Sequence, residues 1–335
     1  MKKLGLCICC VLLWQVSLGM VQAMKPGKGM EQNTVTIKDT VRFHFASVEE
    51  AKRLISAEDD YTRNWSSFDI ASRLENPKGQ RGNLTELAKN EVREWTEEEK
   101  QLIRKIGKNI NSIILKNGYQ LPLPKEEIIL VKSTLKDEGG AGGYTRSNWI
   151  ALSDGFMKSI SQERLTELLI HELFHVLTRN DLKFKSRMYE TIHFNVIPNE
   201  IIFPKDIWEN RISNPDVSRH DSYATFKIHG KAQNCAMILY TDRPYTTGKF
   251  YTYIQVGLVA LDEHLKPVQK NGKTVIYSIE DASDFYDKVG ENTRYIIHPE
   301  EIMASNFALA VLNARNVSTP DLQKRIQNAL KQNLK

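Results

Sequence analysis

Eight histidines are spread over 335 residues, and two of them, His171 and His175, stand four apart in SQERLTELLIHELFHVLTRN (161–180). Leu165, Leu169, Leu173, Val176 and Leu177 recur at helical spacing, so the segment predicts an amphipathic helix. The two imidazoles then lie one turn apart and project in one direction, where they can share a metal ion. Glu172 lies between them in the pattern His-Glu-x-x-His, in which a carboxylate beside a metal takes a proton from water and hands it to a leaving group. The bland alternative is an exposed helix whose histidine pair binds nothing.

A catalytic zinc ion normally has three protein ligands and one open position. In HPEEIMASNFALAVLNAR (298–315), Pro299 can open a helix that Ile302, Ala304, Phe307, Ala308 and Val311 pack beneath the first, which makes Glu301 the expected third ligand. Glu200 follows Asn199, but Ile201, Ile202, Phe203 and Pro204 do not suit a ligand-bearing helix. Glu190 follows His175 too closely for an easy return of the chain, and Glu300 and His298 complete the alternatives. Either acid at 300 or 301 could instead simply complement a helix dipole. Position 181 is Asp, so the extended three-histidine form of the motif is absent.

These residues need a scaffold, and the rest of the chain predicts a mixed one. Val35 to Ala46 reads as a strand, and Ser47 to Glu50 has capping-box spacing before a short helix. A second box at Thr96 to Glu99 opens a helix whose apolar face is Leu102, Ile103, Ile106, Ile110, Ile113 and Ile114, ended by Asn117-Gly118. Ile128 to Val131 is a short buried strand. Gly139-Gly140-Ala141-Gly142-Gly143 lacks the Lys-Ser/Thr of a phosphate loop and reads as a mobile loop. Tyr144 to Leu152 (YTRSNWIAL) reads as one exposed or edge strand.

From Tyr223 to about Tyr277 the runs YATFKIHG, NCAMILYT, FYTYIQVGLVAL and KTVIYSI, the last after an Asn271-Gly272 hairpin turn, predict a sheet-rich insertion. The aromatics Tyr245, Phe250, Tyr251 and Tyr253 are expected to pack on the sheet rather than form a binding face. Pro299 and Pro320 are placed as first-turn prolines of two final helices.

Composition narrows the function classes. With 41% hydrophobic and 26% charged residues the chain is an ordinary folded protein. Lys2, Lys3, an apolar run from 4 to 14 and Val21-Gln22-Ala23 predict a signal peptide over 1–23, hence a secreted or periplasmic product. The apolar run is too short to cross a bilayer, so no transmembrane anchor is expected. Loss of the two leader lysines lowers the net charge from +5 to +3, which does not suggest nucleic acid. Cys7, Cys9 and Cys10 fall in the leader, so Cys235 alone remains and neither an internal disulfide nor an N-terminal cysteine latch is expected.

With HELFH at 171–175, YTRSNWIAL at 144–152 and EIMAS at 301–305, the chain resembles the zincin metallopeptidases, and among them the gluzincins of the thermolysin-like clan. The resemblance covers roughly residues 95–180 and 295–315. It implies an α+β fold with a zincin-like core, Zn2+ held by His171, His175 and Glu301, and Glu172 as general base and then acid. Tyr144 to Leu152 would hold an extended peptide by strand addition. A donor for the tetrahedral oxyanion would come from His220, Tyr223, Tyr189, Tyr295 or His298, with His220 and Tyr223 of RHDSY the preferred pair. Ser305 stands where the clan often has an aspartate that supports a zinc histidine.

The expected organisation is a signal peptide (1–23), an N-terminal region packing on the core (24–94), a zincin-like subdomain (95–220), a β-rich insertion (221–280) and a C-terminal helical region with the third ligand (281–335). The expected function is hydrolysis of a peptide or protein substrate after export. Rival readings are a zinc hydrolase of a non-peptide substrate, a catalytically silent zincin-like binding protein, and a structural export protein.

Overall fold

Alternation along the strands decides how this chain builds its layers. In the segment Ile128–Ser133, Leu130 faces one hydrophobic cluster and Val131 faces another. Successive strand residues point to opposite faces, so a run that is apolar throughout must be covered on both sides. The computed structural model describes residues 40–332; the expected signal peptide and the first part of the expected strand at 35–46 lie outside the described residues.

The described chain is α+β. It runs β1 (Phe43–Phe45), α1 (Val48–Ser56), α2 (Asp60–Arg63), α3 (Ser67–Arg73), α4 (Arg81–Asn90) and α5 (Glu97–Asn117). Then follow β2 (Ile128–Ser133), β3 (Gly143–Arg146), β4 (Trp149–Ser153), α6 (Asp154–Ser159), α7 (Gln162–Asn180) and α8 (Leu182–Glu190). The second sheet takes in β5 (Asn195–Val196), β6 (Ser222–Ile228), β7 (Lys231–Tyr240) and β8 (Gln255–Ala260), with α9 (Lys205–Trp208) between the first two. After the hairpin β9 (Gln269–Lys270) and β10 (Lys273–Thr274) come β11 (Ile276–Tyr277), α10 (Phe285–Val289), α11 (Pro299–Val311) and α12 (Pro320–Leu330).

The first sheet has the order β1-β2-β4-β3, parallel except for β3, which runs antiparallel to β4 at the edge. The stretch expected as a single strand, Tyr144 to Leu152, is therefore a hairpin. Ser147 at φ 46° turns the chain, which puts β4 inside the sheet and leaves β3 as its edge. Nor is that edge exposed: Tyr144, Thr145 and Arg146 are all buried. α1 and α4 cover one face, where Ala51, Ile55 and Ala88 meet Val131, Tyr144, Trp149 and Ala151. α5 and α7 cover the other, meeting Leu130, Ile150 and Leu152.

α5 starts at the expected capping box, with Glu99 Oε2 accepting the Thr96 amide at 2.8 Å, and ends on Gly118 in the left-handed region at φ 66°. The sheet-rich stretch forms an antiparallel sheet of order β11-β8-β7-β6-β5. Cys235 and Met237 face the main core with α8 and α11, whereas Ala236 and Ile238 face Ile201, Phe203 and Ile207. FYTYIQVGLVAL is a strand only over β8; Phe250–Thr252 is a short 3-10 turn, and Tyr245 and Tyr253 pack on Phe68 of α3.

α11 is the central helix, buried nearly all round between α7 and α12, as an almost uniformly apolar sequence requires. Among the described residues no helix is long and apolar enough to cross a membrane.

Candidate metal centre

α7 carries the motif on the helix that the sequence predicts. Ser161 caps it by accepting the Arg164 amide, and Leu165, Leu169, Leu173, Val176 and Leu177 lie in the core. This fixes the helix rotation and turns His171 and His175 toward the first turn of α11. Their rings meet edge to face with centroids 4.9 Å apart. Glu301 Oε2 lies 3.1 Å from His171 Nε2 and 3.7 Å from His175 Nε2.

These three groups each offer one ligand atom, all within 4.8 Å of one another. Donor atoms on a tetrahedron with zinc bonds of about 2.0–2.1 Å stand roughly 3.3 Å apart, so the spacing suits such an ion. Two further observations agree. His175 Nε2 is buried and has no hydrogen-bond partner among the described residues. Four carboxylates, from Glu172, Asp216, Glu300 and Glu301, are buried around it, an excess of negative charge that a low-dielectric site tolerates only with protons or a cation.

Burial by itself disfavours a charged His175, but Asp216, Glu300 and Glu301 outweigh it and lift its pKa to about 10. Burial raises the Glu172 carboxyl, with His175, His171 and Thr145 only partly offsetting it. Burial likewise lifts Asp216 well above the carboxylate range, reinforced by Glu172 and Glu301. Glu301 is lowered instead: burial opposes this, but the hydrogen bond to His171, the charge of His175 and the Asn214 amide prevail.

Glu300, one residue before Glu301, does a different job. Its Oε1 lies 3.1 Å from His175 Nδ1 and accepts from Thr178 Oγ1 at 2.6 Å, while Oε2 accepts from Tyr189 OH at 2.5 Å. Burial opposes its ionisation, yet His175, Lys185 and Thr178 drive its pKa down to about 2. A carboxylate on the far nitrogen sets the tautomer and orientation of a metal-binding imidazole.

Glu172 stays within 4.8 Å of the His175 ligand atom and is tied to β3. Its Oε2 accepts from Thr145 Oγ1 at 2.7 Å, so the edge strand fixes the carboxylate. Asp216 joins from the loop before β6: its Oδ1 accepts the Thr145 amide at 2.6 Å and lies 3.9 Å from His175 Nε2. Asn214 donates to Glu301 Oε1 at 2.6 Å. Glu301 is 1% exposed at its side chain and His175 is fully buried, so His171, at 16%, is the member of the group that reaches the surface.

The other residues singled out by sequence are dispersed. Glu190 is exposed at the end of α8, and Glu200 accepts the backbone amide of His220 at 3.1 Å. His220 packs its ring on Phe203 and His298, and Tyr223 packs on the Ile201–Phe203 side of the second sheet, so neither belongs to the group formed by His171, His175 and Glu301. His298 caps α11 by accepting the Glu300 amide at 3.2 Å, and Tyr189 is committed to Glu300. Tyr295 stands nearest to His171, with ring centroids 6.4 Å apart. Sequence reasoning missed Thr145, Asn214 and Asp216; the Asn-Pro-Asp turn was their only local mark. No family model, curated protein or solved structure matches this chain.

Proposed function

We propose that the chain is an exported zinc-dependent metallopeptidase with a zincin-like core, in which His171, His175 and Glu301 hold the ion. The observation that carries the reading is the convergence of two imidazole nitrogens from α7 and one carboxylate from α11 on one buried point, beside an orphaned His175 Nε2. A two-histidine, one-glutamate donor set suits zinc with an open position. When bound, such an ion supplies Lewis-acid polarisation of the scissile carbonyl and makes water more acidic.

The chain's own groups do the rest. Glu172, raised by burial and held by Thr145, removes the proton of the attacking water and carries it to the departing nitrogen. β3 is the sheet edge to which an extended peptide would add as a strand once the groups that bury it move aside. Tyr295 is the better-situated donor for the developing oxyanion, since it borders His171, whereas His220 and Tyr223 pack elsewhere. The leader over 1–23 supports export.

The test is digestion of a defined peptide library by the mature protein, read by mass spectrometry, with Glu172→Gln and Tyr295→Phe beside it. We expect cleavage that Glu172→Gln lowers by about 10²- to 10⁴-fold and Tyr295→Phe by a smaller factor, both with metal content retained. Cleavage undiminished in Glu172→Gln contradicts the assignment. Hydrolysis confined to ester or amide substrates outside peptides would favour the non-peptide reading.

A further inference from the structure

The segment Arg211–Ser218 crosses the edge of β3 beside the ligand cluster. The Thr145 amide belongs to the strand an incoming peptide would pair with, and it is already taken by Asp216 Oδ1 at 2.6 Å. The same oxygen lies 3.9 Å from His175 Nε2, close to the 3.7 Å that separates this nitrogen from Glu301 Oε2. Asp216 is buried, and with Glu172 and His175 it forms a second group whose ligand atoms all lie within 4.8 Å.

The turn is held from both sides. Asn214 donates to Glu301 Oε1 at 2.6 Å, and its own Oδ1 accepts the Asp216 amide at 2.9 Å. Arg179 of α7 donates to Pro215 O at 2.7 Å. Behind it, Ser213 donates its amide and hydroxyl to Asp69 at 2.9 and 2.8 Å, and its carbonyl accepts from Arg73 at 2.6 Å. Arg73 and Asp69 form a buried ion pair within α3. The N-terminal region thus braces a loop that lies across the candidate site.

We infer that the Asn214-Pro215-Asp216 turn is an internal latch, in which Asp216 stands beside His175 Nε2 and occupies the Thr145 amide, so that the turn screens the candidate metal site and covers the peptide-binding edge of β3. This rests on the zinc centre proposed above and adds that the described conformation is latent. A peptide must therefore displace Asp216 from the Thr145 amide and from beside His175 together. The latch lies inside the chain, beyond the motif helix, and not in the residues that precede the core.

The test loads the mature full chain with cobalt(II), whose visible spectrum reports coordination, and titrates it with acetohydroxamate. Wild type is compared with Asp216→Ala and Asp216→Asn, the latter keeping the shape of the turn if the alanine variant fails to fold. We expect a wild-type spectrum that the probe barely alters and, in the variants, hydroxamate affinity at least about tenfold higher, with peptide cleavage rising in parallel. Equal hydroxamate affinity in wild type and a folded variant overturns the latch while leaving the metal centre standing. So does lower cleavage in the variants with unchanged hydroxamate affinity. A folded wild type that takes up no cobalt overturns the metal centre and the latch with it. If neither variant folds, wild type decides alone: exclusion of millimolar hydroxamate supports the latch, and ready occupancy overturns it.

Discussion

His175 Nδ1 lies 3.1 Å from Glu300 Oε1, while the opposite ring nitrogen points toward Glu301. Two consecutive glutamates in the first turn of α11 thus divide the work of orienting a histidine and of offering a ligand. Consecutive helical residues project about 100° apart, which lets Glu300 and Glu301 of the first turn of α11 reach opposite nitrogens of the one imidazole. Tyr189 and Thr178 in turn fix Glu300.

Glu300→Gln should therefore weaken metal binding without removing a ligand. Loss of such a supporting carboxylate typically costs about 10- to 100-fold in affinity. Competition with a chromophoric chelator measures it, and an affinity equal to wild type would rule out the orienting role. Glu300→Asp, which is shorter but still anionic, should recover part of the loss.

Gly143 approaches Glu172, the proposed general base, so closely that a side chain there would interfere. A Cβ would stand 3.1 Å from Glu172 Oε1 and 3.1 Å from the Ala151 carbonyl oxygen. Gly143→Ala is expected to push Glu172 off its position and lower kcat/KM on the order of 10²-fold, while zinc stoichiometry stays at the wild-type level. Full activity in this variant would show that Glu172 does not act from the position Thr145 gives it.

Asp137 ties stability to pH. Burial, aided by the charge of Glu138, raises its pKa to about 7, and its Oδ1 has no hydrogen-bond partner among the described residues. The folded form holds the proton more tightly than the unfolded chain. Its contribution is therefore full below about pH 4 and is lost as pH rises toward 7 and beyond. Between pH 4 and 8, the stability of Asp137→Asn relative to wild type should rise by at most about 4 kcal/mol. Urea unfolding of both proteins at the two pH values provides the comparison; parallel pH dependence would contradict the assignment.

The helices that bear the chemistry were legible because each carries its own periodic signal and cap: Ser161 and the leucines of α7, Pro299 ahead of α11, Thr96 and Gly118 around α5. The four-residue spacing of His171 and His175 is a property of one helix and needs no tertiary information. Glu301 was reachable because an acid in an otherwise apolar helix must be buried and matched. The hairpin within YTRSNWIAL was not legible, since Ser147-Asn148 is a weak turn signal and the residues on either side all favour strand. Asp216 was hidden for a different reason. Its partners, Thr145 and His175, are 71 and 41 positions away, and a loop aspartate after proline looks like any solvated turn. The division between Glu300 and Glu301 likewise depends on which side of α11 meets α7.

The measurement that tests the central claim most directly is metal content of the mature protein by elemental analysis, for wild type, Glu301→Ala and Glu200→Ala, with folding verified by circular dichroism. The account predicts close to one zinc per chain in wild type and in Glu200→Ala, whose side chain is engaged with the His220 backbone, and a loss in Glu301→Ala. A folded wild type that takes up no zinc when it is supplied at neutral pH, or a Glu301→Ala protein that binds it as wild type does, would contradict the account.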